Sequence, residues 1–428
     1  MSDLTSAAIK AAIVSQRSMI EGLFDRLADG SPGNPGIMRD TYGAGENFAH
    51  RLLAEHAADK GLQIRRDAAA NSYVTWPGTD PAAARILIGS HLDSVPHGGN
   101  FDGAAGVVAG LAVIAALDGL GLRPRRDVTV MGIRAEESVW FEVSYIGSRS
   151  ALGSLPDGAL EARRIDTGRT LASHIADCGG DVDAIRQGRW ELDPAAIRAF
   201  LEVHIEQAPT LVEAGLSLAI CSGIPGNFRY PQARIHGRHD HVGTPRRFRR
   251  DAAMAGADLA MALDQMWEAQ EKAGVPLAIT FGRFHTDAAV HGMTTVPGAF
   301  DFSLDVRAYD PAVLSRIEGE MLAIIRAIEL RRNVSCELGR RASASVGVVD
   351  PGIVAQMEQA ARDLGIRTMR LGSPASHDAA AFAAAGVPAA MLFVRNEHGS
   401  HNPEEHMEID DFLDACAVLA RWVADHAV

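Results

Sequence analysis

The sequence predicts an α/β protein: a mainly parallel sheet with helices on both faces, interrupted by an inserted α+β domain. Three observations predict this class. A strand, a helix and a second strand follow one another between residues 86 and 133, an order typical of parallel sheets. From about 213 to 331 the pattern changes to alternating strands and long helices, which suggests a small antiparallel sheet. The chain of 428 residues is too long for one ordinary core. We therefore expect a main domain over 1–212 and 332–428 and an insert over 213–331.

The first part of the chain alternates between helical and extended patterns. Apolar residues recur at helical spacing in the longer segments, and Gly- or Pro-rich breaks separate them. In chain order the expected elements are helices at 6–28 and 42–61, strands at 62–64, 73–76 and 86–88, a helix at 107–117 and a strand at 128–133.

The rest of the chain continues in the same way around the insert. A polar segment over 157–188 is expected to form a helical excursion. In chain order the later elements are a strand at 200–207, insert strands at 233–235 and 300–307, insert helices at 251–269 and 313–328, helices at 351–364 and 378–385, and a strand at 389–394.

The composition excludes several classes of protein. The formal net charge of −13 argues against a nucleic-acid or anionic-membrane surface. No stretch is long and apolar enough to span a membrane, and the N-terminus lacks the apolar region of a signal peptide. Four scattered cysteines form no CxxC pair. We therefore expect neither a disulfide framework nor a thiolate metal site, and we expect a cytoplasmic protein.

The stretch GSHLDSVPHGGNFDGAAG, residues 89–106, links an expected strand to an expected helix. Its glycines allow tight bends that would bring His91, Asp93 and Asp102 together. One imidazole and two carboxylates suit zinc, with manganese or cobalt as substitutes. Asp93 lies two residues after His91, so it points to the same side and could hold the second N–H of the imidazole. Taken alone, a turn capped by Asp and His explains the motif about equally well.

Further metal-ligand types stand at the ends of other expected strands, and catalytic groups of parallel sheets gather at carboxyl ends. These residues are Glu136, Glu137, His204 and His401. Alone, the glutamate pair would be read as solvated surface, His204 as a core histidine and His401 as a turn residue. Together with the loop, three imidazoles and two carboxylates suffice for two metals if one carboxylate bridges them, and one carboxylate is left as a base. The set predicts hydrolysis of an amide-like bond.

These motifs carry a resemblance to a known family. The loop at 89–106, the EE pair with the downstream IGSRS, the HIEQ strand, HVGTP followed by RRDA, FDFSLDVR and the terminal SHNPEE resemble the amidase, hydantoinase and carbamoylase branch of metallopeptidase family M20. That branch includes N-carbamoyl-L-amino-acid hydrolases, allantoate amidohydrolases and β-ureidopropionase. The motifs run from about residue 39 to 405 in the family's order and spacing.

The resemblance implies a dinuclear-metal aminopeptidase-like catalytic domain and a role for each strand-end residue. The implied assignments are His91 and His204 for one divalent metal ion, Glu137 and His401 for a second, Asp102 as the bridge, Glu136 as general base and acid, and Asp93 as the residue that orients His91. The implied cofactors are two divalent ions per subunit, zinc or else manganese, cobalt or nickel.

The resemblance also implies that the insert is a lid through which two subunits form a homodimer. The implied substrate residues are His241, which would reach across the dimer to stabilise the oxyanion, Arg307 for the substrate carboxylate, Gln207 for the amide or ureido group, His377 near the pocket, and Asn227 and Thr295 at substrate-contact positions. Relatives commonly have Gln and Asn at these last two positions. The resemblance therefore indicates the class of reaction more reliably than it indicates the substrate.

The run RRFRR at 246–250 has two interpretations. Arg249 and Arg250 match the family's RRDA, whereas Arg246 and Arg247 are extra. A solvated basic turn is the favoured reading. The alternative is a second anionic contact, which would favour a dicarboxylic substrate.

The leading hypothesis is a homodimeric dimetal amidohydrolase that cleaves the C–N bond of an N-carbamoyl, ureido or N-acyl amino acid. The partner is then a small carboxylated amide or ureido substrate, with no nucleic acid and no membrane. A dipeptidase or aminoacylase is less favoured, because that branch usually has a carboxylate where His204 stands. A catalytically inactive binding protein on the same fold is disfavoured because Glu136 and every expected ligand are present.

Overall fold

The computed structural model of the protein describes residues 5–428, which divide into two compact units. Unit 1 contains the chain up to Ile224 together with Val348–Val428, and unit 2 contains Pro225–Gly347. The expected insert boundaries, 213 and 331, fall earlier in the chain than those of unit 2. The difference arises because the strand that follows residue 213 joins the large sheet of unit 1, whereas short strands after residue 332 join the sheet of unit 2.

Unit 1 is an eight-stranded sheet with helices, and its elements are numbered along the whole chain. The strands are β1 Gln63–Arg66, β2 Ser72–Trp76, β3 Arg85–His91, β4 Val128–Ile133, β5 Ile197–Ile205, β6 Leu218–Gly223, β14 Thr368–Gly372 and β15 Ala389–Val394. The helices are α1 Ser6–Val14, α2 Arg17–Gly30, α3 Ala44–Asp59, α4 Ala104–Gly119, α5 Ile146–Ala151, α6 Leu171–Asp177, α7 Val182–Arg186, α8 Thr210–Ala214, α11 Pro351–Asp363, α12 Asp378–Ala384 and α13 Ile409–Ala427.

The sheet order is β1-β2-β4-β3-β5-β15-β6-β14. The central strands β4, β3, β5 and β15 run parallel, while β1, β2 and β6 make the antiparallel pairings. Every residue of β4 and β15 is buried, and so is β3 after its first residue, which requires cover on both faces of the sheet. The apolar helix α4 packs on β3, β4 and β5, and it also contacts α13.

Unit 2 is an antiparallel sheet with two long helices. Its elements are β7 Gly226–His236, β8 Asp240–His241, α9 Ala252–Lys272, β9 Leu277–Thr286, β10 Thr295–Val296, β11 Ala299–Ala308, α10 Pro311–Arg332, β12 Ser335–Glu337 and β13 Ala342–Ala344. The main sheet has the order β12-β7-β11-β9, with β13 also paired to β7, and β8 pairs with β10. Asp251 caps α9 and Asp310 caps α10, each by accepting a backbone N–H of the first turn. The hydrophobic core of unit 2 lies between its main sheet and the helices α9 and α10.

The structure confirms the predicted α/β class and the antiparallel insert. Two details differ. The helix expected over 6–28 is two helices, because Ser15 and Gln16 turn their side chains back onto the carbonyl of Ala12 and compete with helix continuation. The insert has more strands than expected, because its added strands are exposed or very short. None of the helices in residues 5–428 has the length and apolarity needed to cross a membrane.

Candidate metal centre

Four parallel neighbours bring their carboxyl ends to one edge of the large sheet. His91 is the last residue of β3, and His204 is the penultimate residue of β5. Glu136 and Glu137 follow β4 directly, and His401 lies in the loop after β15. The topology therefore gathers side chains that are far apart in the chain, from His91 to His401.

The first cluster consists of His91, His204 and Asp102, all buried. The Nε2 atoms of the two histidines lie 3.4 Å apart, and they lie 3.4 Å and 3.2 Å from Asp102 Oδ1. The Nδ1 of His91 faces the carbonyl of Asp93 at 3.0 Å, and that of His204 faces the carbonyl of Ile205 at 2.9 Å. Because a carbonyl only accepts, Nδ1 carries the hydrogen in each neutral ring and Nε2 presents a lone pair.

The second cluster consists of Asp102, Glu137 and His401. His401 Nε2 lies 3.4 Å from Asp102 Oδ2 and 3.5 Å from Glu137 Oε1. Its side chain is half exposed, whereas the two carboxylates are buried. The two clusters share Asp102, which offers one oxygen to each.

The donor spacing in both clusters fits a small divalent ion. Ligand atoms about 2.1 Å from a tetrahedral ion lie about 3.4 Å from one another. The shortest nitrogen-to-oxygen and nitrogen-to-nitrogen distances above are 3.2–3.5 Å. Asp102 Oδ1 is buried and has no hydrogen-bond partner among the described residues, which is costly unless a cation satisfies it. The residues present therefore fit metal ions.

The electrostatics of the first cluster also favour positive charge. Burial lowers the pKa of His91, but its contacts with Asp102 and Asp93 outweigh burial and raise the pKa well above the usual value. Burial likewise opposes the ionisation of Asp102, yet His204 and His91 hold the pKa of this carboxyl well below its usual range. A site that retains protons on imidazoles in this way is one where a divalent cation is stabilised.

Asp93 connects the His91 loop to the turn that carries the glutamate pair. Its carboxylate accepts the N–H of Glu136 at 3.1 Å and that of Glu137 at 3.2 Å, and its carbonyl faces His91 Nδ1. Thr41 donates a further hydrogen bond to this carboxylate at 2.5 Å. The predicted orienting role therefore has a geometric basis, through the main chain of Asp93 more directly than through its carboxylate, which lies 3.5 Å from His91 Nδ1.

Glu136 is buried beside the clusters but belongs to neither of them. Burial raises its pKa well above the usual range, and the neighbouring Glu137 raises it further while His91 lowers it. The turn that holds it includes Ala135, which has a positive φ of 58°. A buried Arg134–Glu46 ion pair of 2.8 Å braces the turn, and Glu46 also accepts the N–H of Ala135. Strained backbone held by such surroundings is common at functional sites.

Gln207 lies against the shared carboxylate. Its Nε2 donates to Asp102 Oδ2 at 2.8 Å, and its φ of 65° is again positive. Its Oε1 is buried without a hydrogen-bond partner in the described part of the chain. The side chain therefore has a spare acceptor next to the clusters.

A third group of possible ligand atoms consists of Glu202, His204 and His377. The ring of His377 lies 4.3 Å from that of His204, centroid to centroid, and its Nε2 is 2.8 Å from the hydroxyl of Ser373. Glu202 accepts from Ser90 and from the N–H of Ala379. The predicted substrate residue His377 is thus buried against a candidate ligand.

The four predicted site residues of unit 2 form two cross-strand pairs. His241 in β8 is the register partner of Thr295 in β10, and Asn227 in β7 is the partner of Arg307 in β11. His241 is exposed and its Nδ1 accepts the N–H of Gly243, so its Nε2 carries the hydrogen in the neutral ring. Arg307 donates to Asp305 at 2.9 Å. Asn227 is buried, and its Nδ2 has no partner among residues 5–428.

Sequence reasoning did not single out three side chains that hold the candidate centre. Arg39 is fully buried and donates to the carbonyls of Leu92 and Asp102. Glu405 accepts the N–H groups of Phe101 and Asp102. Glu202 could have been found, because it stands two residues before His204 on a strand and so shares its face. Arg39 and Glu405 give no such signal, because their contacts depend on how loops return to the site.

The sequence is similar to a known peptidase family and to amidohydrolases. Residues 87–425 match the profile of Peptidase family M20/M25/M40. An N-carbamoyl-L-amino acid amidohydrolase of Geobacillus stearothermophilus is 33% identical over 413 residues, covering 95% of this chain and 98% of the relative. A probable allantoate deiminase of Oryza sativa subsp. japonica is 29% identical, covering 89% and 82%.

Solved structures agree with this placement. A hydantoinase/carbamoylase family amidase from Burkholderia ambifaria is 28% identical with a TM-score of 0.78, covering 96% of this chain and 98% of that one. A family amidase from Burkholderia phymatum is also 28% identical, with a TM-score of 0.80 and coverage of 96% and 97%.

Proposed function

Because the chain belongs to peptidase family M20/M25/M40, we propose that it is a metal-dependent amidohydrolase acting on the C–N bond of a carboxylated carbamoyl or ureido compound, or of an N-acyl amino acid. Several of its relatives are named as N-carbamoyl-L-amino acid amidohydrolases and allantoate deiminases, names that describe hydrolysis of non-peptide C–N bonds. The observation that carries the proposal is the pair of donor clusters sharing Asp102, with an unligated buried glutamate beside them.

The proposed cofactors are two divalent ions, zinc or else manganese, cobalt or nickel. Imidazole and carboxylate donors at the observed spacing support this choice, since such donors suit ions of intermediate softness. His91 and His204 would hold one ion, Glu137 and His401 the other, and Asp102 both. When bound, the ions polarise the substrate carbonyl and lower the pKa of water.

In the proposed reaction Glu136 moves the proton. Its carboxylate accepts a proton from the attacking water and delivers it to the leaving nitrogen, as a general base and then a general acid. Its burial and its raised pKa support this role, because a carboxyl that retains a proton more readily than usual can both take and return one. Asp93 positions the main chain of Glu136 through the hydrogen bond already described.

Three of the proposed substrate contacts have unused polar capacity. The spare acceptor of Gln207 suits an N–H of a ureido or amide group, and the unpartnered Nδ2 of Asn227 suits a substrate oxygen. The Nε2–H of His241 is a donor suited to a developing oxyanion. We assign Arg307 to the substrate carboxylate, because a guanidinium pairs with it through two hydrogen bonds. The remaining proposed substrate contacts are Thr295, the register partner of His241 in unit 2, and His377 in unit 1.

We also propose that unit 2 is a lid domain and that two copies associate through it. Strand β9 is at the end of the sheet order, and an unpaired strand edge is a template for another strand. Helix α9 packs beside β9 and exposes Met254 and Met261, which are seven residues apart and therefore lie on one face.

The proposed location is the cytoplasm. All four cysteines are free thiols, which supports the expected reducing compartment.

The function is tested by metal content followed by assay. The protein would be stripped with a chelator, reloaded with zinc, manganese or cobalt, and offered N-carbamoyl, ureido, N-acetyl and dipeptide substrates. We expect turnover of the carbamoyl or ureido compounds only in metal-loaded protein. Turnover of N-acetyl substrates alone would narrow the proposed activity to N-acyl amino acids, and turnover of dipeptides alone would instead indicate a dipeptidase. No turnover in any loaded form would contradict the assignment as an enzyme.

The base assignment is tested by Glu136→Gln. This variant should retain its metals and lose about 10²- to 10⁴-fold in kcat, because the proton can no longer be transferred. Metal content by mass spectrometry and steady-state kinetics measure the two quantities. The control is Glu142→Gln, which changes an exposed glutamate six residues along the same loop and should remain active. Full activity of Glu136→Gln would show that another group moves the proton.

A further inference from the structure

Unit 2 contains a cavity of about 1100 Å³ that the proposed reaction does not use. We call it the arginine cavity, because seven arginines line it: Arg238 after β7, the four arginines of the 246–250 run, and Arg331 with Arg332 at the end of α10. All of its lining residues belong to unit 2. In a chain with a net charge of −13, so much positive charge in one place needs an explanation.

Three of these arginines are paired with carboxylates. Arg331 and Arg332 both donate to Asp258 at 2.7 Å, and Arg238 donates to Asp240 at 2.9 Å. A third carboxylate, Asp251, belongs to the cavity lining itself and caps α9. These three carboxylates therefore offset three of the seven positive charges.

Two further arginines are fixed in place without being neutralised. Arg249 donates to the carbonyls of Thr244 and Val242, and Arg250 donates to the carbonyl of Asn333 at 2.7 Å. A carbonyl oxygen orients a guanidinium but does not cancel its charge. Both groups therefore keep their charge in a fixed position at the cavity wall.

The guanidinium groups of the remaining two arginines, Arg246 and Arg247, form no hydrogen bond or ion pair within residues 5–428. Arg247 lies over the ring of Phe248 at 4.5 Å, and this ring is itself half exposed in the cavity lining. A solvated basic turn explains exposed arginines one at a time. It does not explain why four uncompensated guanidinium groups share one concave surface with an aromatic ring.

We propose that the arginine cavity binds a polyphosphate group, either free or attached to a nucleoside. A diphosphate or triphosphate brings three to four negative charges, which matches the uncompensated arginines, whereas a dicarboxylate brings two. Guanidinium groups bind phosphate oxygens through paired hydrogen bonds. The cavity is large enough for a small-molecule ligand with a ring as well as phosphates, and the face of Phe248 is a surface on which a base can stack.

Binding of inorganic pyrophosphate and of a nucleoside triphosphate to the full-length protein tests this proposal, by calorimetry in low salt. We expect both to bind, and binding should weaken as sodium chloride is added. The variant Arg246→Ala/Arg247→Ala should bind about tenfold more weakly or worse. The matched control is Arg326→Ala/Arg340→Ala, which removes the same charge from exposed positions of unit 2 outside the cavity and should bind like the original protein.

A second variant guards against loss of binding through misfolding. Asp258→Asn releases Arg331 and Arg332 from their carboxylate, so it should bind pyrophosphate several-fold more tightly. A gain of affinity cannot come from an unfolded protein. Inorganic tripolyphosphate has the same number of phosphates without the nucleoside. Tighter binding of the nucleoside triphosphate than of tripolyphosphate would identify a nucleotide site, and equal binding would identify a site for free polyphosphate.

Three outcomes would overturn the proposal. The first is no binding of either phosphate compound at millimolar concentration. The second is unchanged binding by Arg246→Ala/Arg247→Ala. The third is equally tight binding of citrate, which would mean a general anion surface without preference for phosphate. Because no proposed metal ligand lines the cavity, each of these results leaves the proposed hydrolase activity standing.

Discussion

At the scale of single residues, Arg39 holds the candidate metal loop after β3, between Leu92 and Asp102, at both of its ends. Its Nε donates to the carbonyl of Leu92 at 2.9 Å, and its Nη atoms donate to the side chain of Asn100 and to the carbonyl of Asp102. No carboxylate forms a direct ion pair with it among the described residues. Burial lowers its pKa, while the nearby carboxylates of Glu405 and Asp102 oppose that effect. Arg39 therefore fixes the conformation of the loop and also places a positive charge beside a strongly acidic site.

We predict that Arg39→Met weakens metal binding by about 10- to 100-fold, because removing the partners that orient a ligand loop has effects of this size. It should also cost roughly 3 kcal/mol or more of stability, since buried carbonyls lose their donors. Chelator competition measures the first quantity and denaturant unfolding the second. In the control Arg126→Met, the lost donor served the carbonyl of Ala84 before β3, away from the loop. Unchanged metal affinity in Arg39→Met would mean that Arg39 acts on stability alone.

A single site residue could be predicted from the sequence only where its type and its position in a local pattern are both informative. The five expected ligands stand at strand ends or in a glycine-rich loop, where residue type and position together carry information, and the structure brings these five together in two clusters. Arg39 and Glu405 lie in irregular segments whose partners are backbone groups far away in the chain. No local pattern encodes such contacts, so the sequence could not indicate them.

At the scale of elements, the junction of the candidate metal loop with α4 depends on one glycine. Gly103 precedes α4 with a φ of 68°, and a Cβ at this position would stand 2.5 Å from the ring of His91. The helix can therefore start directly beside the imidazole only because no side chain intervenes. The approach of α4 and the orientation of His91 are coupled at this point.

We predict that Gly103→Ala displaces the His91 ring and loses at least about tenfold in metal affinity, on the scale seen when ligand orientation is disturbed. Gly121→Ala separates this effect from backbone strain. Gly121, beyond the other end of α4, also has a positive φ, of 75°, but has nothing within 4 Å of an added Cβ. Both variants should lose about 1 kcal/mol or more of stability, and metal titration should distinguish them. Equal metal affinities would contradict the steric explanation.

Elements were predictable where burial is periodic or continuous. The strands β3, β4 and β15 and the helices α4, α9 and α10 were indicated because their apolar residues face a core. Strand β9 was missed because most residues in its second half are exposed, so its sequence shows no alternation of apolar and polar residues there. The short strands β12 and β13 take their structure from pairing with β7 and have little pattern of their own.

At the scale of the whole molecule, the proposed association through unit 2 gives a prediction about mass. Light scattering at about 10 μM should give twice the chain mass of 45.5 kDa. Met254→Lys/Met261→Lys should shift the mass towards a single chain, because charges would be buried against the partner. The control Leu330→Lys changes an exposed residue of α10, which packs beside β7 and β11, and should not alter the mass. A single-chain mass for the unaltered protein would contradict the proposal.

The split of unit 1 into two stretches of chain has a consequence for how the protein is made. Strand β5 pairs with β15, yet all of unit 2 is translated between them. A ribosome therefore releases the complete middle unit before the central sheet can close, and the last candidate ligand, His401, emerges later still. We expect unit 2 to fold first on the nascent chain, while the exposed edge of β5 must be shielded from aggregation until synthesis is nearly finished.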